Sequence, residues 1–504
     1  MSQHRHRSSR DALSIGRRVV VALILASSVA GLVSLARRAT SQAEQTTEVY
    51  SVVPEYRPAS KASTWFCPGV PGSDDSISGL LVISNPGESP VGGTITRFVL
   101  DGAARRQRFA VPARSTLEVD ALVGTQSQFV SALVESQGAP IAVEQRTAHR
   151  AGNAVTSCAS SPAGTWYLAD GFTGADSVEQ VVVTNPSLDS AILDVSFVTS
   201  IGERSPQSLK GVVIPPESVR VFDLAALDAR NEATIAVSVK ATVGRVVVGR
   251  SQHYLGRGRL GYTMMLAASG MSDRWYFADG EKDETVNEEF VIFNPLNNDQ
   301  QLTFIITRDD GVPLDPLVVT APAKRVTKFA PTTLGTLTPG RYSAVVTATS
   351  ASASATVASS VGVVVERVST RQIEKSTASA VLLGAPSPSR SWIAPSGTTP
   401  DVPASLRIFN PGSVAATFNV TYLGPAGDVT VPGYEQVSLA PGAGASVMLS
   451  SQVAAATVSV TASEPVVVQR SVPRGGKQSI NGTAPLVPVV TADTSEGCAT
   501  SEDC

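Results

Sequence analysis

The sequence predicts an all-β chain: four tandem antiparallel β-sandwich domains after one N-terminal membrane helix. Three observations predict it. First, the chain has only four Trp, and each opens an imperfect repeat: Trp65-Phe66-Cys67, Trp166-Tyr167-Leu168-Ala169-Asp170-Gly171, Trp275-Tyr276-Phe277-Ala278-Asp279-Gly280 and Trp392-Ile393-Ala394. Second, an Asn-Pro follows each Trp at 20, 19, 19 and 18 residues (Asn85, Asn185, Asn294, Asn410), and later a β-branched run ends in Arg (Arg146, Arg250, Arg367, Arg470). Third, the stretches between these landmarks alternate apolar and polar residues and are broken by Gly and Pro, as half-buried strands joined by turns do. A fixed period of this size sets the architecture before any local motif is weighed.

Taken in order, residues 1–18 form a basic segment, with Arg5, Arg7, Arg10, Arg17 and Arg18. An uncharged run at 19–36 follows, at the lower edge of bilayer-spanning length, and Arg37 and Arg38 close it. Five Arg before the run against two after predict a cytoplasmic N-terminus and an exported body, so 19–36 is expected to be a signal anchor. The alternative is a signal peptide cleaved near Ser41-Gln42-Ala43, which would release a secreted protein. Residues 39–60 read as a polar stalk.

The four repeats are expected at 61–158, 162–268, 272–384 and 389–490, and a polar tail at 491–504. In each, an apolar strand such as Glu289-Phe290-Val291-Ile292-Phe293 leads into Asn-Pro. The residue before Pro is pushed out of the helical region and Pro has no N–H for a ladder, so the dipeptide ends a strand. An alternating segment, a Gly turn and a Pro-led strand follow, and the Arg-terminated run comes last. Seven or so short strands per hundred residues is the pattern of an antiparallel sandwich. Four of them in series would make a rod, with the first and fourth as its caps.

Cys67 and Cys158 have no counterparts in the later repeats. They are expected to join the first strand of repeat 1 to its last, as an exported body permits. Cys498 and Cys504 would close a small loop in the tail.

The succession of Trp-Tyr-Phe-Ala-Asp-Gly, an apolar strand into Asn-Pro, a Pro-led strand and Val-Val-Val-Glu-Arg resembles a family of actinobacterial secreted or membrane-anchored proteins of unknown function. The resemblance covers about residues 61–490 and departs in repeat 4, where Trp392-Ile393-Ala394-Pro395 opens the unit and Gln469 replaces Glu. It implies tandem Ig-like repeats, an envelope location and a non-enzymatic scaffold.

Candidate sites are few. The Trp side chains are either core residues or sugar-stacking platforms, and a once-per-repeat Trp at a fixed strand position favours the core. The repeated Arg is expected to be structural, paired with a carboxylate or backbone carbonyls, because a residue the fold needs recurs with the fold. Asp74-Asp75, Asp170 with Asp176, and the acidic stretch from Asp279 to Glu289 match no calcium loop and read as solvated. His149 and His253 read as surface or edge-strand residues. No nucleophile, zinc or phosphate-loop motif is present, so no catalytic residue, cofactor or metal is expected. A net charge of −3 over 504 residues, with no basic stripe, argues against nucleic acid. The expected role is structural or adhesive, presenting the repeats to a cell-wall glycan or an envelope protein. A carbohydrate-binding array is the alternative, and regulation of an envelope enzyme a third.

Overall fold

The computed structural model describes residues 53–490 apart from 73–76, 126, 352–359, 374–375, 397–403, 451–455 and 474–480. The basic segment, the 19–36 run, most of the stalk, Asp74-Asp75, Cys498 and Cys504 lie outside the described residues. Among the described residues no helix is long and apolar enough to cross a membrane.

The described chain is all-β and its sheets are antiparallel. Among the described residues, repeat 1 has eight strands: Ala62–Pro71, Ile77–Asn85, Val91–Val99, Arg105–Val111, Ser115–Asp120, Phe129–Gln137, Ala142–His149 and Gly152–Ser157. They form two sheets, ordered first–sixth–third–fourth and fifth–second–seventh–eighth. Repeats 2 and 3 keep both orders, with the fourth strand of repeat 2 split in two. In repeat 4 the sixth and seventh strands fuse into one, Thr457–Pro473, that serves both sheets. Each repeat buries a core that includes its Trp.

The landmark Asn is a buried cross-link. Asn85 Nδ2 donates to the carbonyls of Ser89, Val111 and Pro112 at 2.9, 3.2 and 2.9 Å, and its Oδ1 accepts from the Gly87 N–H. Asn185, Asn294 and Asn410 make the same set in their own turns, with one carbonyl fewer at Asn294. One amide thus saturates a turn that the sheets leave unpaired, and buried backbone carbonyls need such partners.

The repeats do not form a rod. They close into a ring. The eighth strands Gly152–Ser157, Arg259–Leu266, Ser376–Leu383 and Asn481–Pro485 each pack on the next, and the fourth packs on the first. They surround an apolar cavity of about 60 Å³, lined by Met264, Leu266, Val381, Leu383 and Pro54 among others. The segment before repeat 1 also joins the last strand of repeat 4, Val487–Pro488. Tyr56 N–H donates to Pro488 O at 3.0 Å, and Val490 N–H donates to Tyr56 O at 2.9 Å. The rod expectation treated each sandwich as self-sufficient, whereas here apolar side chains cross every boundary. Val182 and Tyr262 of repeat 2 join the core of repeat 1, Ala169 and Ala268 join that of repeat 3, and Tyr276 meets Phe409 of repeat 4. Ile393 of repeat 4 returns to the core of repeat 1.

Candidate functional site

The most concentrated chemistry lies buried at the junctions between repeats. All four Trp are buried, each 2% exposed or less. Their Nε1–H groups donate to carbonyls at the head of the seventh strand or just before it: Ile141, Val246, Val363 and Val466, at 2.7, 2.8, 2.8 and 2.9 Å. A buried indole N–H needs an acceptor, and the same one recurs in every repeat. No Trp offers a face for sugar stacking.

Just past the Trp, the first strand bulges. Pairing with the sixth strand shifts between Cys67 and Val70 in repeat 1 and between Phe277 and Gly280 in repeat 3. A bulge leaves backbone N–H groups without a ladder partner. The next repeat supplies one. Glu366 of repeat 3 accepts from Ala169 and Asp170 N–H of repeat 2, at 3.0 and 3.1 Å. Gln469 of repeat 4 accepts from Ala278 and Asp279 N–H of repeat 3, at 2.9 and 3.1 Å. Glu144 of repeat 1 accepts from the Ser396 hydroxyl of repeat 4, where Pro395 has no N–H to offer. At the remaining junction the equivalent residue is Gly249. A Cβ there would sit 2.4 Å from the Cβ of Pro68, so ring meets backbone directly.

Strand register shows that these four residues are equivalent. Glu144, Gly249, Glu366 and Gln469 pair with Val82, Val182, Val291 and Arg407, each three before its Asn. The next position holds Gln145, Arg250, Arg367 and Arg470. Arg146 is therefore one residue out of register with the other three Arg. Gln145 stands in their place and binds both the N–H and the carbonyl of Gly69. Arg367 and Arg470 likewise donate to the carbonyls of Asp279 and Ser396. Arg146 instead reaches Glu118 and Glu144, at 3.3 and 3.2 Å.

Charge is matched junction by junction. Where the next repeat offers Glu, the Arg crosses to it: Arg250 to Glu366 at 3.2 Å and Arg470 to Glu144 at 2.7 Å. Where it offers Gln469, Arg367 stays nearest its own Glu288, at 3.9 Å. Where it offers Gly249, the buried residue is the neutral Gln145. A buried charge without a counter-ion is costly, so the pairs change together.

The cluster around Arg250 is the richest. Arg250 and Arg259 face Asp170, Glu179 and Glu366, all five buried. Arg259 binds both Asp170 oxygens, at 3.1 and 2.9 Å. Two cations against three carboxyls leave one acid to remain protonated. Neither Glu179 oxygen reaches a hydrogen-bond partner. Burial pushes Glu179 up to about 8, against the pull of Arg250 and with the help of Asp170 and Glu366. Burial acts upward on Glu144 as well, but Arg470 and Arg146 outweigh it and hold that carboxyl low.

Cys67 and Cys158 form the expected disulfide. Asp170 and Asp279 are buried and face Arg259 and Arg341 rather than solvent. His149 is also buried, its ring 4.8 Å from that of His253 at the junction of repeats 1 and 2. The Glu preceding the Arg was visible in the sequence. Its partner was not, because adjacent strand residues point to opposite faces and this one faces another repeat.

A family model described as "Family of unknown function (DUF5719)" matches residues 120–371 and 327–501. No curated protein matches the chain. Among solved structures, "Crystal Structure of Thermotoga maritima 1070" is 15% identical and covers 23% of this chain and 94% of its own, with a TM-score of 0.19. "Crystal structure of tetra-tandem repeat in extending region of large adhesion protein" is 10% identical and covers 81% and 94%, with a TM-score of 0.10. At such scores neither likeness bears on fold or role.

Proposed function

The chain belongs to this family of unknown function, DUF5719, and on that premise we propose that it is a non-catalytic scaffold of the cell envelope. In this reading residues 19–36 anchor the chain, and the repeats, Ig-like sandwiches closed into a ring, stand outside the membrane to engage cell-wall polymer or an envelope protein. One observation carries it. The residues that define the repeat (Trp, Asn, the Glu or Gln, and Arg) are spent on internal bonds that fix each sandwich to itself and to its neighbour. The recurrent chemistry builds a rigid body, and partner recognition falls to surfaces that differ between repeats.

A second reading, recognition of an envelope glycan, is favoured by one such surface: an open polar cleft between repeats 2 and 3. The test is co-sedimentation of the full chain in detergent with purified, protein-free cell wall, alongside retention of solubilised envelope proteins. A protein retained specifically without wall binding supports the scaffold. Saturable wall binding supports the glycan reading. Binding to neither overturns both.

A further inference from the structure

We propose that the cleft between repeats 2 and 3 is a binding site for a monoanionic, polyhydroxylated polymer unit, that is, an acidic sugar or a polyol phosphate. The proposal rests on the glycan reading and names the class of glycan.

The cleft measures about 310 Å³, and Arg257, Arg259 and Phe172 of repeat 2 face Lys328, Glu289 and Asn287 of repeat 3 across it. Arg259 is built in. Its guanidinium lies 5.3 Å from the Phe172 ring centroid, and Asp170 behind it accepts two hydrogen bonds, so its planar face is fixed before any ligand arrives. Arg257 projects from the tight hairpin between the seventh and eighth strands, where it and Gly258 take φ of 53° and 82°. A turn with both central residues at positive φ has the twist that joins adjacent strands tightly, so the position of Arg257 is set by the sheet. Lys328 Nζ lies 3.5 Å from Glu289, and Arg259 lies 3.9 Å from the same carboxylate.

The charges decide the ligand class. Three cations face Glu289 and the underlying Asp170, leaving one positive charge uncompensated. Glu289 and the Asn287 amide supply acceptors and donors for hydroxyl groups, which a polyol brings and a simple anion does not. The site is also specific to this junction. At the position of Lys328 the other repeats carry Glu118, Val221 and Ser446, and at that of Glu289 they carry Leu80, Gln180 and Ser405. The fold therefore does not demand these residues, in contrast to the buried Trp and Arg.

The experiment measures binding of three oligomers of equal length to the full chain in detergent: a uronate, a glycerol phosphate and a neutral glucan. At least one anionic oligomer is expected to bind saturably, and the neutral one at least tenfold more weakly. The variant Arg257→Gln/Lys328→Gln should weaken anionic binding at least tenfold. A control on a basic edge strand elsewhere, Arg105→Gln/Arg108→Gln, should leave it unchanged. Which anionic oligomer binds tells carboxylate from phosphate. Anionic binding that survives the cleft variant, or falls equally in the control, overturns the site. Binding of only the neutral oligomer overturns the site and keeps the glycan reading. Binding of no oligomer together with no wall binding overturns both.

Discussion

Arg250 of repeat 2 and Glu366 of repeat 3 meet 3.2 Å apart across a repeat boundary, both wholly buried and 116 residues apart in sequence. Glu366 also accepts from two backbone N–H groups of repeat 2, Ala169 and Asp170, just past the end of its first strand. Glu366→Ala should therefore strand a buried cation and two donors at once, at a cost of about 3–5 kcal/mol. Glu366→Gln keeps an acceptor for those two N–H groups, as Gln469 does one junction further on, and should cost less. Urea unfolding of both variants checks the order. Equal losses would mean that the backbone caps contribute nothing.

Gly249 is the only one of the four equivalent positions without a side chain, and Pro68 fills the space. Gly249→Ala forces the proline ring to move and should destabilise by about 1–3 kcal/mol, the usual range for overpacking. Thermal unfolding of the variant is the measurement. A neutral result would show the first junction to be loosely packed.

The Cys67–Cys158 bridge spans 91 residues. Closing a loop of that length restricts the unfolded chain and should contribute about 4–5 kcal/mol. Comparing denaturant midpoints of the oxidised chain and of Cys67→Ala/Cys158→Ala tests this. Coincident midpoints would refute it.

Glu179 gives a pH dependence with a definite sign. Its folded value of about 8 lies above that of a free glutamate, so between roughly pH 4.5 and 8 the folded state holds a proton that the unfolded state has released. Its contribution to stability is whole below that window and falls as pH rises through it. Glu179→Gln, which stays neutral, should flatten this decline and stabilise the chain more at pH 8 than at pH 5. Melting curves across that range decide the matter, and parallel curves for variant and parent would count against it.

Much of the fold was legible because it is local. Trp spacing, Asn-Pro and the Pro-led strands each mark strand ends, and strand ends fix the sheets. The role of the Asn itself was missed, since Pro alone accounts for a strand stop and nothing in one sequence tells which carbonyls an amide will meet. The register of repeat 1 was misread by one residue because Arg146 mimics the run-ending Arg, while Gln145 does the work of that position. Ring closure was not legible at all. It depends on contacts such as Arg470 to Glu144, 326 residues apart, whose pattern in sequence is indistinguishable from that of a junction between neighbours. The cleft was equally hidden, because its two walls come from different repeats.

Closure also changes how the molecule comes apart. In an open array the outermost units have one neighbour and can melt singly, leaving the rest intact. Here repeat 1 and repeat 4 each have two. Losing any one repeat breaks two junctions and opens the central cavity, so melting should be all-or-none. The same geometry makes the order of the repeats along the chain a matter of convenience. A circular permutant that begins at residue 161 and links residue 490 to residue 53 through a short linker would keep every junction in place, Tyr56 against Pro488 included.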